Sequence, residues 1–92
     1  MKRGESKIDQ DLVHALDKLI EADEIDVLLY PKQISEDLET FLLANKNKGL
    51  LDYNILHIAN CVAIKAPKKI ILEIAARDDV SQLILNPRFT LH

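Results

Sequence analysis

The sequence predicts an α+β domain, an antiparallel sheet with helices on one face. Three observations predict it. Apolar residues recur at helical spacing in three segments and at strand-like spacing in four others. Pro31, Gly49 and Pro67 fall at the joins between these segments. The chain has 92 residues, 48% of them apolar, which is enough for one domain with a real core.

The elements follow in order. Residues 1–7 are polar and are expected to be loose. Ile8, Leu12, Val13, Leu16, Leu19 and Ile20 form one stripe of an amphipathic helix over 8–23, with Ser6 or Asp9 as its cap. Its outer face carries Asp9, Asp11, Asp17, Glu21, Asp23 and Glu24, a solvated surface or one that meets a basic partner. Ile25, Val27, Leu28, Leu29 and Tyr30 read as a strand that Pro31 ends. Ser35 then precedes Glu36, Asp37 and Glu39, acids that suit the start of a helix dipole, and Lys46 and Lys48 suit its end. Leu38, Phe41, Leu42 and Asn45 form the inward face, and Gly49 is the stop.

From Tyr53 to Ile64 the pattern is the least helical of the chain, and two strands are expected to meet around Ala59–Asn60. Pro67 suits the first turn of a helix whose buried face is Ile70, Ile71, Ile74 and Ala75, with Arg77 near its end. The last strand is expected over 81–85. The resulting order is a helix followed by β-α-β-β-α-β, the pattern of a ferredoxin-like split sheet: four antiparallel strands, two helices on one face, and here an extra N-terminal helix. A single domain thus spans 1–92, with its core at 25–86 and a tail at 87–92. The second sheet face is left open unless the N-terminal helix or a dimer covers it.

Composition narrows the function. The net charge is −3, and the basic pairs Lys2–Arg3 and Lys68–Lys69 are too short for a nucleic-acid footprint. One cysteine, Cys61, excludes an internal disulfide and a multi-cysteine zinc site. His57 and Cys61 lie four apart but supply too few ligands for a metal. No apolar run reaches the roughly 18 residues of a membrane span. The chain begins on a polar segment, so no signal peptide is expected in it. Ser6, Ser35 and Ser81 read as caps or turn residues, and Asp78–Asp79 as a solvated turn, so no catalytic group, metal or cofactor is expected.

The phrases IANCVAI, PKKIILEIAARDDV and QLILNPRFTL resemble a strand, the second helix, and the last strand with its tail in the propeptide-type inhibitor domain of subtilisin-like serine proteases. The closest likeness is to the longer propeptides of bacillopeptidase-F-like enzymes. IDQDLVHALDKLIEADEIDVLLYPKQ resembles the helix and strand that precede them. The resemblance implies a non-enzymatic partner of a subtilisin-like serine protease, an inhibitor and folding chaperone. Its open sheet face docks on two surface helices of the protease, and its C-terminal tail enters the substrate cleft like a product. It implies a protein found outside the cell as an excised propeptide, or in the cytoplasm as a free-standing inhibitor.

On that resemblance the cleft-binding tail is Arg88, Phe89, Thr90, Leu91 and His92. With His92 at the cut position, Phe89 lies four subsites up, where such clefts accept a large apolar side chain. With the cut after Leu91, Arg88 takes that place. The docking face comprises Asn60, Cys61, Ala63, Ile84 and Asn86. Cys61, Ala63 and Ile84 are expected to form a flat patch, and Asn86 to accept a hydrogen bond from a partner helix. A different class of reading is a small regulatory or assembly module that forms a homodimer through the sheet. The tail itself either enters a cleft or folds back as an extension of the edge strand.

Overall fold

In the strand β1 (Glu24–Pro31) the even and odd residues have different fates. Ile25, Val27 and Leu29 have no exposed surface, while Asp26, Leu28 and Tyr30 are half-buried. Period-2 alternation of this kind marks a strand with one face against a core. The computed structural model describes residues 7–87. The remaining elements are α1 (Gln10–Asp17), α2 (Glu36–Asn47), β2 (Asp52–Leu56), a 3-10 turn (His57–Ala59), β3 (Cys61–Pro67), α3 (Lys68–Ala75) and β4 (Val80–Leu85).

The four strands form one sheet in the order β2-β3-β1-β4, and every neighbouring pair is antiparallel. α2 links β1 to β2, and α3 links β3 to β4; each connection skips one strand. On the inner face Val27 stands between Ile64 and Leu85, and Leu29 between Val62 and Leu83. Leu38 and Leu42 of α2 and Ile70, Ile71, Ile74 and Ala75 of α3 complete this core, as their spacing predicts.

Leu12, Ala15 and Leu16 of α1 belong to the same buried cluster. The N-terminal helix therefore lies on the face that α2 and α3 already cover, and it leaves the other face open. It packs against the outer strand β4, where the chain just before it adds to the sheet. Ile8 bridges Leu83 in parallel register, and the Asp9 amide donates to the Leu83 carbonyl at 2.9 Å.

α1 is shorter than the 8–23 expected. At its start, Ile8 is drawn into strand pairing, so the helix begins after Asp9, whose carboxylate accepts from the Asp11 amide at 3.3 Å. At its end, the Asp23 carboxylate accepts from the Ile20 amide at 3.1 Å and holds a turn there in place of helix. Ser35 caps α2 through the Leu38 amide at 3.2 Å. Gly49 has φ +74°, a left-handed stop that a side chain would strain. Asn45 turns its amide inward to the Phe41 carbonyl at 2.8 Å. Pro67 sits one residue before α3, as its N-cap, because it also ends β3.

The turn between α3 and β4 is tied from several sides. Arg77 grips Asp79 with two hydrogen bonds of 2.9 and 2.8 Å and lies over the Phe41 ring, 4.7 Å from its centre. Lys7 Nζ donates to the Arg77 carbonyl at 2.6 Å, and the Lys32 amide to the Asp79 carbonyl at 2.9 Å. The hydrogen bonds from Arg77 hold the Asp79 carboxyl below its ordinary range; the same bonds hold the Arg77 guanidinium above its own.

Two outcomes follow. Leu29→Ala removes a fully buried side chain from the centre of the sheet and should cost about 2–5 kcal/mol by urea unfolding. Asp79 has a depressed pKa in the folded state, so its stabilisation is complete above the unfolded value, about 3.9, and fades as pH falls through the folded one. The stability gap between the native protein and Asp79→Asn, measured by denaturant titration, should therefore be present at pH 6 and close as pH drops below about 4.

Candidate functional site: the uncovered sheet face

Because side chains alternate along each strand, the register assigns every open-face residue to a row across the sheet. The middle row runs Asn54, Ala63, Leu28, Ile84. Toward one end lies Asp52, Lys65, Asp26, and there the Asn86 amide donates to the Asp26 carbonyl at 3.0 Å. Toward the other end, Leu56 is opposite Cys61 and Tyr30 is opposite Gln82.

The face is thus graded. Its charged end holds a shallow depression of about 270 Å³ flanked by Asp26, Asp52, Lys65 and Asn86. Asp52 is also 3.5 Å from Lys46, an ion pair exposed enough to count for little. The middle is aliphatic, and the far end leads into the 3-10 turn. There Ile58 is fully exposed, at 105%, and Leu56 is exposed at 38%. Asn60 closes that turn at φ 51°, the left-handed region that asparagine enters more readily than most residues.

Of the residues singled out from the sequence, Ala63 and Ile84 come together, one on each side of Leu28. Cys61 belongs to the same face by the pleat. Cys61 is only 2% exposed and stands outside the main core cluster, so it offers a partner almost no surface. Asn60 and Asn86 lie at opposite ends of the face. Arg88, Phe89, Thr90, Leu91 and His92 lie outside the described residues.

Leu28, the centre of the patch, was not singled out from the sequence. Its signal was the run Val27-Leu28-Leu29, an unbroken apolar stretch where a strand with one wet face should alternate. Asp26, Lys65 and Asp52 were equally missed, since only the register aligns them.

Among the described residues no group of three His, Cys, Asp or Glu side chains is placed to hold a metal ion. None of the described helices is long and apolar enough to cross a membrane. No protein-family model, curated protein or solved structure matches the chain.

Burial of Cys61 has a chemical consequence. A buried thiol is inert until the structure opens. A thiol reagent should leave the folded protein unlabelled and modify Cys61 promptly in denaturant; equal labelling rates in both conditions would mean that the far end of the face is open.

Proposed function

We propose that the domain is a propeptide-type inhibitor and folding chaperone of a subtilisin-like serine protease, which it grips by the open sheet face. The observation that carries this reading is the placement of the three described helices on one side. The opposite face is left with an aliphatic centre, Leu28 with Ala63 and Ile84, and no element of the chain's described residues to cover it. A sheet surface of this kind is expected to be buried against another element.

The exit of the chain supports the tail mechanism. β4 is an outer strand, and it ends beside Asp26, at the charged end of the face. Residues beyond Pro87 therefore start from the margin of the proposed docking surface. A tail that enters a cleft as an added strand gains main-chain hydrogen bonds and fills pockets with alternate side chains, here Phe89 and Leu91. The docked domain raises its effective concentration there.

The topology supports the finer fold reading too. Counted from the outer strand beside α1, the sheet runs β4-β1-β3-β2 with both helical connections skipping one strand, the arrangement expected of a ferredoxin-like split sheet. A secreted protease partner implies action outside the cell, and an intracellular one implies a free-standing cytoplasmic inhibitor.

The test compares the full chain with a chain ending at Pro87 in the titration of a subtilisin-like protease. The shortened chain should keep the thermal midpoint of the full one and lose inhibition. Undiminished inhibition by the shortened chain would remove the tail from the mechanism. A full chain that inhibits nothing and elutes as a dimer would favour an assembly module that pairs through the sheet.

A further inference from the structure

The outer strand β2 turns the backbone groups of two residues away from the sheet. The Asn86 amide donates to the Asp26 carbonyl, so Asp26 bonds toward β4 and its neighbour Val27 toward β3. Val27 pairs with Ile64, which leaves Ala63 and Lys65 to bond β2 through Asn54 and Asp52. Tyr53 and Ile55 therefore direct their amides and carbonyls outward. The Tyr53 amide agrees with this, since it donates to the Asp52 carboxylate at 3.0 Å. Outer strands are ordinarily guarded by charge, proline or a covering segment, because such groups recruit other chains. The opposite outer strand, β4, is covered at Leu83 by Ile8. β2 has one guard, Asp52, and no Asp, Glu, Lys or Arg follows it until Lys65.

The strand is complementary to itself. Set antiparallel to a second β2 about a two-fold axis at Asn54, Tyr53 of one copy faces Ile55 of the other, and each such pair exchanges both its amide and carbonyl bonds. All the outward groups of both residues are then used. An axis at Tyr53 or at Ile55 would pair only half of them within the strand. The side chains agree with the same register. Tyr53 and Ile55 are half-buried on the covered face and pack against the core. An aromatic residue beside a β-branched one is a favourable cross-strand pair. Asp52 falls opposite Leu56, so no like charges meet.

The flank of α2 carries a second, independent complementarity. Phe41 lies under Arg77, on the α3 side, whereas Lys46 lies 5.4 Å from the centre of the Tyr53 ring and 3.5 Å from Asp52. The Lys46 flank of α2 therefore borders β2. Glu39, Leu43 and Lys46 share that flank by helical spacing. Leu43 is 50% exposed. It stands about 4.5 Å along the helix from Lys46, close to the level of Asn54. The axis that pairs the strands thus brings Leu43 beside its own copy, with Glu39 of one chain toward Lys46 of the other.

We propose that two copies of the chain join through β2, edge to edge and antiparallel about Asn54, in a continuous eight-stranded sheet with the α2 helices side by side. The Tyr53 amide must leave the Asp52 carboxylate to pair, so the association is reversible and depends on concentration. The inference is independent of the protease reading. β2 and β4 are opposite outer strands, so the open face and the chain's exit beside Asp26 stay clear.

Sedimentation equilibrium of the full chain from about 10 μM to about 1 mM tests it, with the mass expected to rise from one chain toward two. Ile55→Pro removes an outward amide and leaves the β2–β3 bonds in place. Leu43→Lys sets like charges at the axis and, on an exposed helix position, should keep the thermal midpoint of the dilute native chain. Both variants should stay monomeric across the range, and Leu43→Met should associate as the native chain does. A native chain that is monomeric throughout overturns the proposal; slower exchange of the Ile55 amide on adding a subtilisin-like protease would then assign the edge to that partner. A dimer kept by Ile55→Pro or by Leu43→Lys also overturns it and would place the contact on the open face. Inhibition is not the readout, so either failure leaves the inhibitor reading standing.

Discussion

The position of β1 at the centre of the sheet governs the rest of the molecule. It pairs with β3 on one side and β4 on the other, so its alternation is imposed on both. A slip of one residue in either ladder would carry Ile25, Val27 and Leu29 out of the core and Asp26 into it. Burying an unpaired carboxylate among aliphatic side chains is costly enough to exclude any slip by an odd number of residues. Helix placement follows. The three described helices meet the Ile25, Val27 and Leu29 face because it is the face without a charge, and the same choice leaves Leu28 and its row outside.

Much of this was legible in the sequence, for reasons that are local. Ser35, Gly49 and Pro67 act through their own backbone and so announce α2's start, its end and the junction of β3 with α3. The isoleucines of α3 announce its inward side by spacing alone. Asn60, at the expected meeting point of two strands, takes the left-handed conformation that a tight connection needs. What was not legible depends on partners distant in the chain. Ile8 leaves the helical stripe because Leu83 is there to pair with it. The face chosen by α1 depends on which sheet surface is apolar, and the sequence alone left that helix free to cover either side. Leu28 was hidden for a related reason. In a central strand an apolar residue fits the pattern of both faces, so periodicity cannot say that it is the half-buried member of its run.

The charged row has a structural task that separates it from the apolar part of the face. Asp52, Lys65 and Asp26 alternate in sign across three neighbouring strands. Opposite charges directly across a ladder favour their register by about 0.2–1 kcal/mol each, whereas a one-residue slip between β1 and β3 would set Lys65 opposite Ile25 or Val27. The row thus reinforces on the open side the register that hydrophobic burial sets on the covered side.

Placement of apolar surface at one end only then has a physical logic. A face aliphatic from end to end would be large enough to pair with a second copy or with any exposed sheet. Here the apolar area is restricted to Leu28 with Ala63 and Ile84, and to the exposed Leu56 and Ile58. A sheet paired through both ladders of β1 fixes the distance between the charged end and the apolar end. The rigidity comes from β1, whose buried residues fill the core while its exposed ones hold the row between the two ends.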